Sequence, residues 1–120
     1  MSRPSAFVLV AVLALVPTVP ARAHSLLLES SPPAGATVPA SPAQITLRFN
    51  NRIEKRLSRI RLVDAHGEKR VLEARPDDTR VDELSAPAPT LGPGAYRVQW
   101  QVLSTDGHVV RGAFSFRVGD

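Results

Sequence analysis

Hydrophobic and polar residues alternate with a period of two along much of the chain. The pattern is clearest in four segments: ITLRF (45–49), RIRLV (59–63), YRVQWQV (96–102) and FSFRV (114–118). Successive side chains of a β-strand point to opposite faces, so this alternation predicts strands with one buried face. Three shorter segments are further strand candidates: HSLLLES (24–30), VLEA (71–74) and VDELSA (81–86).

Turn-forming residues separate these segments, as in PPAG (32–35), DAHG (64–67), Asp77-Asp78 and GPG (92–94). The chain has 11 prolines, and only NRIEKRLSR (51–59) fits a helical turn or two. About seven short strands in one small domain predict an all-β fold, an antiparallel Greek-key sandwich or a small barrel. Trp100, in the middle of an alternating strand, is expected to anchor the core.

The first residues have the three-part pattern of a secretory signal peptide. Arg3 precedes an uncharged apolar run from Ala6 to Val16, and small residues flank Arg22 in Ala21-Arg22-Ala23. A bilayer-spanning helix needs about 20 apolar residues, so the run is too short for a membrane anchor. We expect cleavage after Ala23, which divides the chain into a signal peptide (1–23) and one exported domain (24–120).

Charge and sulfur content narrow the functional classes. Without Arg3 and Arg22, 13 of the 15 basic residues remain against 11 acidic ones, and they are dispersed along the sequence. This favours a solvated surface over a nucleic-acid interface. The chain has no cysteine, and its one methionine is Met1, so the expected mature domain contains no sulfur and no disulfide bond.

Cleavage after Ala23 would give His24 a free α-amino group beside its imidazole. Near neutral pH a divalent metal can displace protons from both groups, so one residue offers two nitrogen ligands. Asp106 and His108, in STDGH (104–108), are two residues apart and would share a face if that segment is extended. On its own this pair is a weak signal, since Asp-Gly is common in surface turns.

Together, His24, Asp106 and His108 supply three nitrogens and one oxygen. Nitrogen-rich tetragonal sites with an oxygen ligand suit Cu(II), whereas Cu(I) prefers the sulfur ligands that the mature domain lacks. Zinc commonly takes tetrahedral sites with cysteine or more histidines. The residues therefore favour a Cu(II) site.

Four blocks of the sequence resemble the CopC family of bacterial periplasmic copper-resistance proteins: AHSLLLESSPPAGATV, ITLRFN, LGPGAYRVQWQVLSTDGH and GAFSFRV. The resemblance spans residues 23–120. It implies an Ig-like β-sandwich that binds Cu(II) through the amine and imidazole of His24, with Asp106 and His108. It also implies a periplasmic role in carrying, buffering or sequestering copper, often beside a CopD-type membrane importer, and we expect a monomer.

Two positions depart from the pattern of the family. Some members have a Met- and His-rich loop that binds Cu(I), whereas the corresponding region, about 64–85, has no methionine. Many members have a glutamate shortly after the first core strand, where this chain has Asn51. Glu54 lies too far along the chain to replace that glutamate. Glu29 is close in sequence to His24, and whether it supports the site depends on the strand geometry. His66 is expected to be a plain surface residue.

We expect a binding protein rather than an enzyme, and two alternatives remain open. One is a copper oxidase with an N-terminal histidine brace, although the six aromatic residues mostly follow the core pattern and leave little surface for a polysaccharide. The other is a metal-free Ig-like module of the cell envelope, which copper would not stabilise.

Overall fold

A computed structural model describes residues 2–5, 11, 26–75 and 80–119. Within these ranges the chain forms eight strands and one short 3-10 helix, Lys55–Leu57. The strands are β1 (Leu27–Ser31), β2 (Thr37–Val38), β3 (Gln44–Phe49), β4 (Arg59–Val63), β5 (Lys69–Leu72), β6 (Glu83–Pro87), β7 (Gly94–Leu103) and β8 (Val109–Val118).

The strands form two sheets. One has the order β1-β3-β6 and the other the order β2-β8-β7-β4-β5. All neighbours are antiparallel except β2 and β8, which pair in parallel over two residues. The prediction of an all-β antiparallel sandwich is therefore confirmed, and the short parallel strand β2 is an addition to it.

The alternating positions of the long strands form the core between the sheets. Ile45, Leu47 and Phe49 of β3 are fully buried, as are Val98 and Val102 of β7. Their neighbours along each strand are more exposed, as the period of two requires. The alternation seen in the sequence thus marks which face of each strand packs inward.

Trp100 joins the two sheets, as the sequence predicts. Its ring meets the ring of Phe49 edge-to-face, with centroids 5.2 Å apart and planes at 73°. Across the strand pair, Trp100 lies opposite Gly112. A Cβ atom at Gly112 would lie 2.6 Å from Cε2 of Trp100, so the absence of a side chain there leaves room for the indole.

The predicted elements away from the long strands also have structural counterparts. The segment 51–59 contains the 3-10 turn Lys55–Leu57, and β1, β5 and β6 overlap the three shorter strand candidates. The Asp77-Asp78 turn and most of the predicted signal peptide, together with His24, lie outside the described residues. In the part of the chain that is described, no helix is long and apolar enough to cross a membrane.

Replacing Gly112 by alanine should destabilise the protein because the new methyl group would overlap the Trp100 ring. Overpacking of this kind costs about 1–3 kcal/mol of the free energy of unfolding. Chemical denaturation followed by tryptophan fluorescence measures it. Gly92→Ala is the matched control, since a Cβ at Gly92 meets no atom within 4 Å. Equal stability of the two variants would contradict the role assigned to Gly112.

Candidate metal centre

Asp106 and His108 lie in the tight loop that joins β7 to β8. The backbone N–H of Ser104 donates to the carbonyl oxygen of His108 at 2.9 Å, and the N–H of Gly107 donates to the carbonyl oxygen of Ser104 at 2.9 Å. Gly107 has a φ of 85°, in the left-handed region. These features are typical of a three-residue hairpin loop with glycine at its left-handed position.

The loop brings the side chains of Asp106 and His108 into contact. Oδ2 of Asp106 lies 3.0 Å from Nδ1 of His108, and Oδ1 accepts the backbone N–H of His108 at 3.1 Å. The segment is not extended, so the condition under which the two side chains would share a strand face is not met. The two groups meet because the chain turns at Gly107.

The carboxylate of Asp106 and the imidazole of His108 are direct neighbours at the surface. The Nδ1–Oδ2 distance of 3.0 Å is a hydrogen-bond distance, so two groups of types that ligate metals are adjacent. The His108 side chain is 63% exposed and that of Asp106 25% exposed, so an ion can reach the pair from solvent.

The pair alone is an incomplete site. Among the described residues, no group of three or more histidine, cysteine, aspartate or glutamate side chains is arranged to hold a metal ion. The third predicted residue, His24, lies outside the described residues. Its place beside Asp106 and His108 therefore stays a prediction.

The base of the hairpin is held by the segment that follows β3. Ile53 forms an isolated antiparallel bridge with the buried Ser104, and the N–H of Glu54 donates to the carbonyl oxygen of Leu103 at 2.9 Å. The hydroxyl of Ser58 accepts the N–H of Leu103 at 3.2 Å and donates to the carbonyl oxygen of Glu54 at 2.8 Å. These bonds fix the end of the sheet from which the loop projects.

The same segment also holds the start of β1. The side-chain oxygen of Asn50 accepts the N–H of Leu26 at 2.6 Å, and the backbone N–H of Asn50 donates to the carbonyl oxygen of Leu26 at 3.0 Å. We call this pair of bonds the Asn50 clamp. Sequence reasoning missed it because the two residues are 24 positions apart. The one available signal was an asparagine, a turn former with its own acceptor, directly after a strand.

Glu29 and His66, the two other residues considered for the site, make contacts of their own. Glu29 forms an ion pair with Arg48, with an Oε1–Nη2 distance of 3.1 Å. The hydrogen bond from Arg48, followed by its positive charge, lowers the pKa of Glu29 below its ordinary value. His66 is exposed in a turn where its backbone N–H donates to Asp64 at 2.8 Å, which agrees with its expected place on the surface.

A family model for the CopC domain matches residues 27–119, which include both strands of the hairpin and its loop. The chain belongs to the CopC family. The resemblance read from the sequence is thereby confirmed.

Named relatives and a solved structure agree with this assignment. YobA of Escherichia coli K12 is 36% identical over 80% of this chain and 79% of its own length. Copper resistance protein C of Xanthomonas campestris pv. juglandis is 34% identical over 97% of this chain and 96% of its own. The copper transport protein CutJ of Bacillus subtilis 168 is 27% identical over 81% of this chain, which is 18% of CutJ.

The crystal structure of CopC from Methylosinus trichosporium OB3b has the same fold. Its TM-score with this chain is 0.74, at 38% sequence identity, and the match covers 80% of this chain and 94% of that one. Together with the family model, this similarity places the β-sandwich of this chain among the CopC structures.

The left-handed backbone at Gly107 predicts a difference between two substitutions. Gly107→Val should lower the free energy of unfolding by about 1–2 kcal/mol, because a β-branched residue is strained at positive φ. Gly107→Asn should lose less, since asparagine tolerates this conformation. Urea denaturation of both variants checks the prediction. A valine variant as stable as the asparagine variant would show that the loop does not need a left-handed residue.

Proposed function

We propose that this protein is a non-enzymatic copper-binding protein of bacterial copper resistance, with one Cu(II) site. The site consists of the amine and imidazole of His24 together with Asp106 and His108. The observation that carries the proposal is that residues 50–54 contact both the start of β1 and the base of the hairpin that presents Asp106 and His108.

The length of the chain limits how far His24 can lie from the hairpin. His24 is two residues before Leu26, which the Asn50 clamp holds. Asn50 is three residues before Ile53, which bridges to Ser104. At about 3.6 Å per residue, these two steps span at most about 7 Å and about 11 Å. These short steps limit the separation of His24 from the hairpin loop, which supports the proposal that both supply ligands to one ion.

The ligand set favours the oxidised ion. It has three nitrogens and one oxygen, a composition that suits tetragonal Cu(II). Residues 24–120 contain no cysteine or methionine, the soft ligands that select Cu(I). Asp106 contacts the imidazole of His108, so these two donors of the proposed set are adjacent.

Export would create one of the four ligands of this site. Until the bond between Ala23 and His24 is cut, His24 has an amide nitrogen where the proposal needs an amine. Removal of the signal peptide 1–23 would therefore make the protein competent to bind copper only in the periplasm. This arrangement would keep the unprocessed chain from binding copper in the cytoplasm.

The proposed role is to carry or buffer copper as a monomer, for exchange with a CopD-type membrane importer. The alignment with CutJ supports such a partnership. A sequence similar to this chain makes up 18% of that copper transport protein, so a CopC-like unit can form part of a larger transport protein.

A chain that begins at Ala23 should bind Cu(II) much more weakly than the chain that begins at His24. Changes outside the ligand shell alone weaken metal binding about 10–100-fold, and this extension removes a direct amine ligand, so we expect a loss of about a hundredfold or more. Competition with a chelator measures the affinities, after mass spectrometry has verified each N-terminus. His66→Ala in the chain that begins at His24 is the control. Equal affinities of the two chains would contradict the amine ligand.

The Asn50 clamp predicts that a side chain outside the proposed ligand set also affects Cu(II) affinity, by a smaller factor. Asn50→Ala removes the acceptor for the N–H of Leu26, which should loosen the N-terminal residues and weaken Cu(II) binding about tenfold. Asn51→Ala is the matched control, one residue away and outside the clamp. The same chelator competition compares the two. If both variants bind copper as the parent chain does, the clamp has no part in positioning the site.

A further inference from the structure

Four arginines that are scattered in the sequence lie on one face of the structure. Arg59 and Arg61 belong to β4, Arg97 to β7 and Arg111 to β8. All four are exposed, and they alternate with residues of the core. They therefore lie on the outer face of the five-stranded sheet, opposite to the face that packs on the other sheet.

The strand register arranges this face as three rows across β8, β7 and β4. The rows are Arg111–Gln101–Arg59, Ala113–Gln99–Arg61 and Ser115–Arg97–Val63. Adjacent strands are about 4.8 Å apart and successive rows about 6.8 Å apart, so the four arginine Cα atoms fall within an area of about 10 Å by 14 Å. Arginine side chains are long enough to meet over such an area.

The face is concave. A groove of about 410 Å³ is lined by the four arginines and by Gln99 and Gln101, with Ala113, Gly112 and Trp100 beneath them. Ala113 is the short side chain of the middle row, at its β8 end. We call this feature the arginine groove.

The three strands that carry the arginine groove supply no negative charge. Strands β4, β7 and β8 contain no aspartate or glutamate. Nε of Arg111 donates to the neutral carboxamide of Gln101 at 3.0 Å, and no salt bridge among the described residues involves the four arginines. Elsewhere, Arg48 and Arg80 pair with carboxylates at 3.1 Å and 3.0 Å.

We propose that the arginine groove binds a phosphate-type oxyanion. A guanidinium offers paired N–H donors that match phosphate oxygens, and each carboxamide adds two more donors. Four guanidinium groups and two carboxamides offer more hydrogen-bond donors than one carboxylate can accept. A multiply charged anion with several oxygens can accept hydrogen bonds from all six groups. The phosphate can belong to a soluble anion or to a phospholipid headgroup. The proposal does not depend on copper binding.

The test uses the copper-free domain 24–120 and two probes. One probe is inorganic pyrophosphate, followed by titration calorimetry and by the melting temperature. The other is a set of vesicles, either pure phosphatidylcholine or phosphatidylcholine with phosphatidylglycerol, followed by co-sedimentation. Copper is excluded because pyrophosphate binds it. The parent protein should bind pyrophosphate, the anionic vesicles or both.

The decisive comparison is between two triple variants with the same loss of charge. R61Q/R97Q/R111Q removes cations of the arginine groove, and R52Q/R56Q/R70Q removes exposed cations elsewhere. Loss of three charge-assisted hydrogen bonds should weaken binding about tenfold or more in the first variant, and the second should bind as the parent does. If the first triple variant fails to fold, Arg97→Gln alone replaces it in the comparison, and we expect a smaller loss of affinity.

Each outcome decides the proposal. Binding of pyrophosphate without vesicle binding indicates a soluble anion, and binding of anionic vesicles alone indicates a lipid headgroup. Either kind of binding supports the site if R61Q/R97Q/R111Q loses that binding and R52Q/R56Q/R70Q keeps it. Absence of binding to both probes, or equal weakening by the two triple variants, would overturn the proposal.

Discussion

The pairing of β7 with β8 is the constraint on which the rest of the structure depends. Ten consecutive residue pairs, from Gly94–Val118 to Leu103–Val109, fix which side chains face inward. Gly107 allows the chain to reverse, and Gly112 leaves room for Trp100. This one register places Trp100 in the core, Asp106 and His108 at the tip of the hairpin, and Arg97 and Arg111 on the outer face.

The sequence predicts the long strands because their burial follows directly from alternation. It does not predict β2, since two residues paired in parallel with β8 leave no periodic pattern. Asp106 and His108 are expected from the sequence to approach each other if their segment is extended, and they do lie in contact, although the segment is a turn. The two side chains meet through a turn at Gly107, a common role of Asp-Gly, and not through an extended strand.

Contacts between distant positions account for what the sequence could not show. The Asn50 clamp joins residues 24 apart, and the rows of the arginine groove join residues up to 52 apart. Both depend on strand register, which local propensity does not determine. The dispersed arginines are solvent-exposed, as expected, but their concentration on one concave face follows only from the fold.

The two proposed sites use different parts of the same hairpin. Copper would bind at the loop, where the turn brings a carboxylate and an imidazole together. The oxyanion would bind in the arginine groove on the outer face of the sheet, whose first row contains Arg111, three residues after His108. The fold thus keeps a metal site made of few donors apart from a surface that is rich in positive charge.

The central claim is that the N-terminal residue and the hairpin loop supply ligands to one copper ion. Electron–nuclear double resonance on the Cu(II) form of the exported protein tests this most directly. The account predicts three directly bound nitrogens, one of which is an amine with exchangeable protons and two of which are imidazole nitrogens. A spectrum without the amine nitrogen, or with a single imidazole, would contradict it.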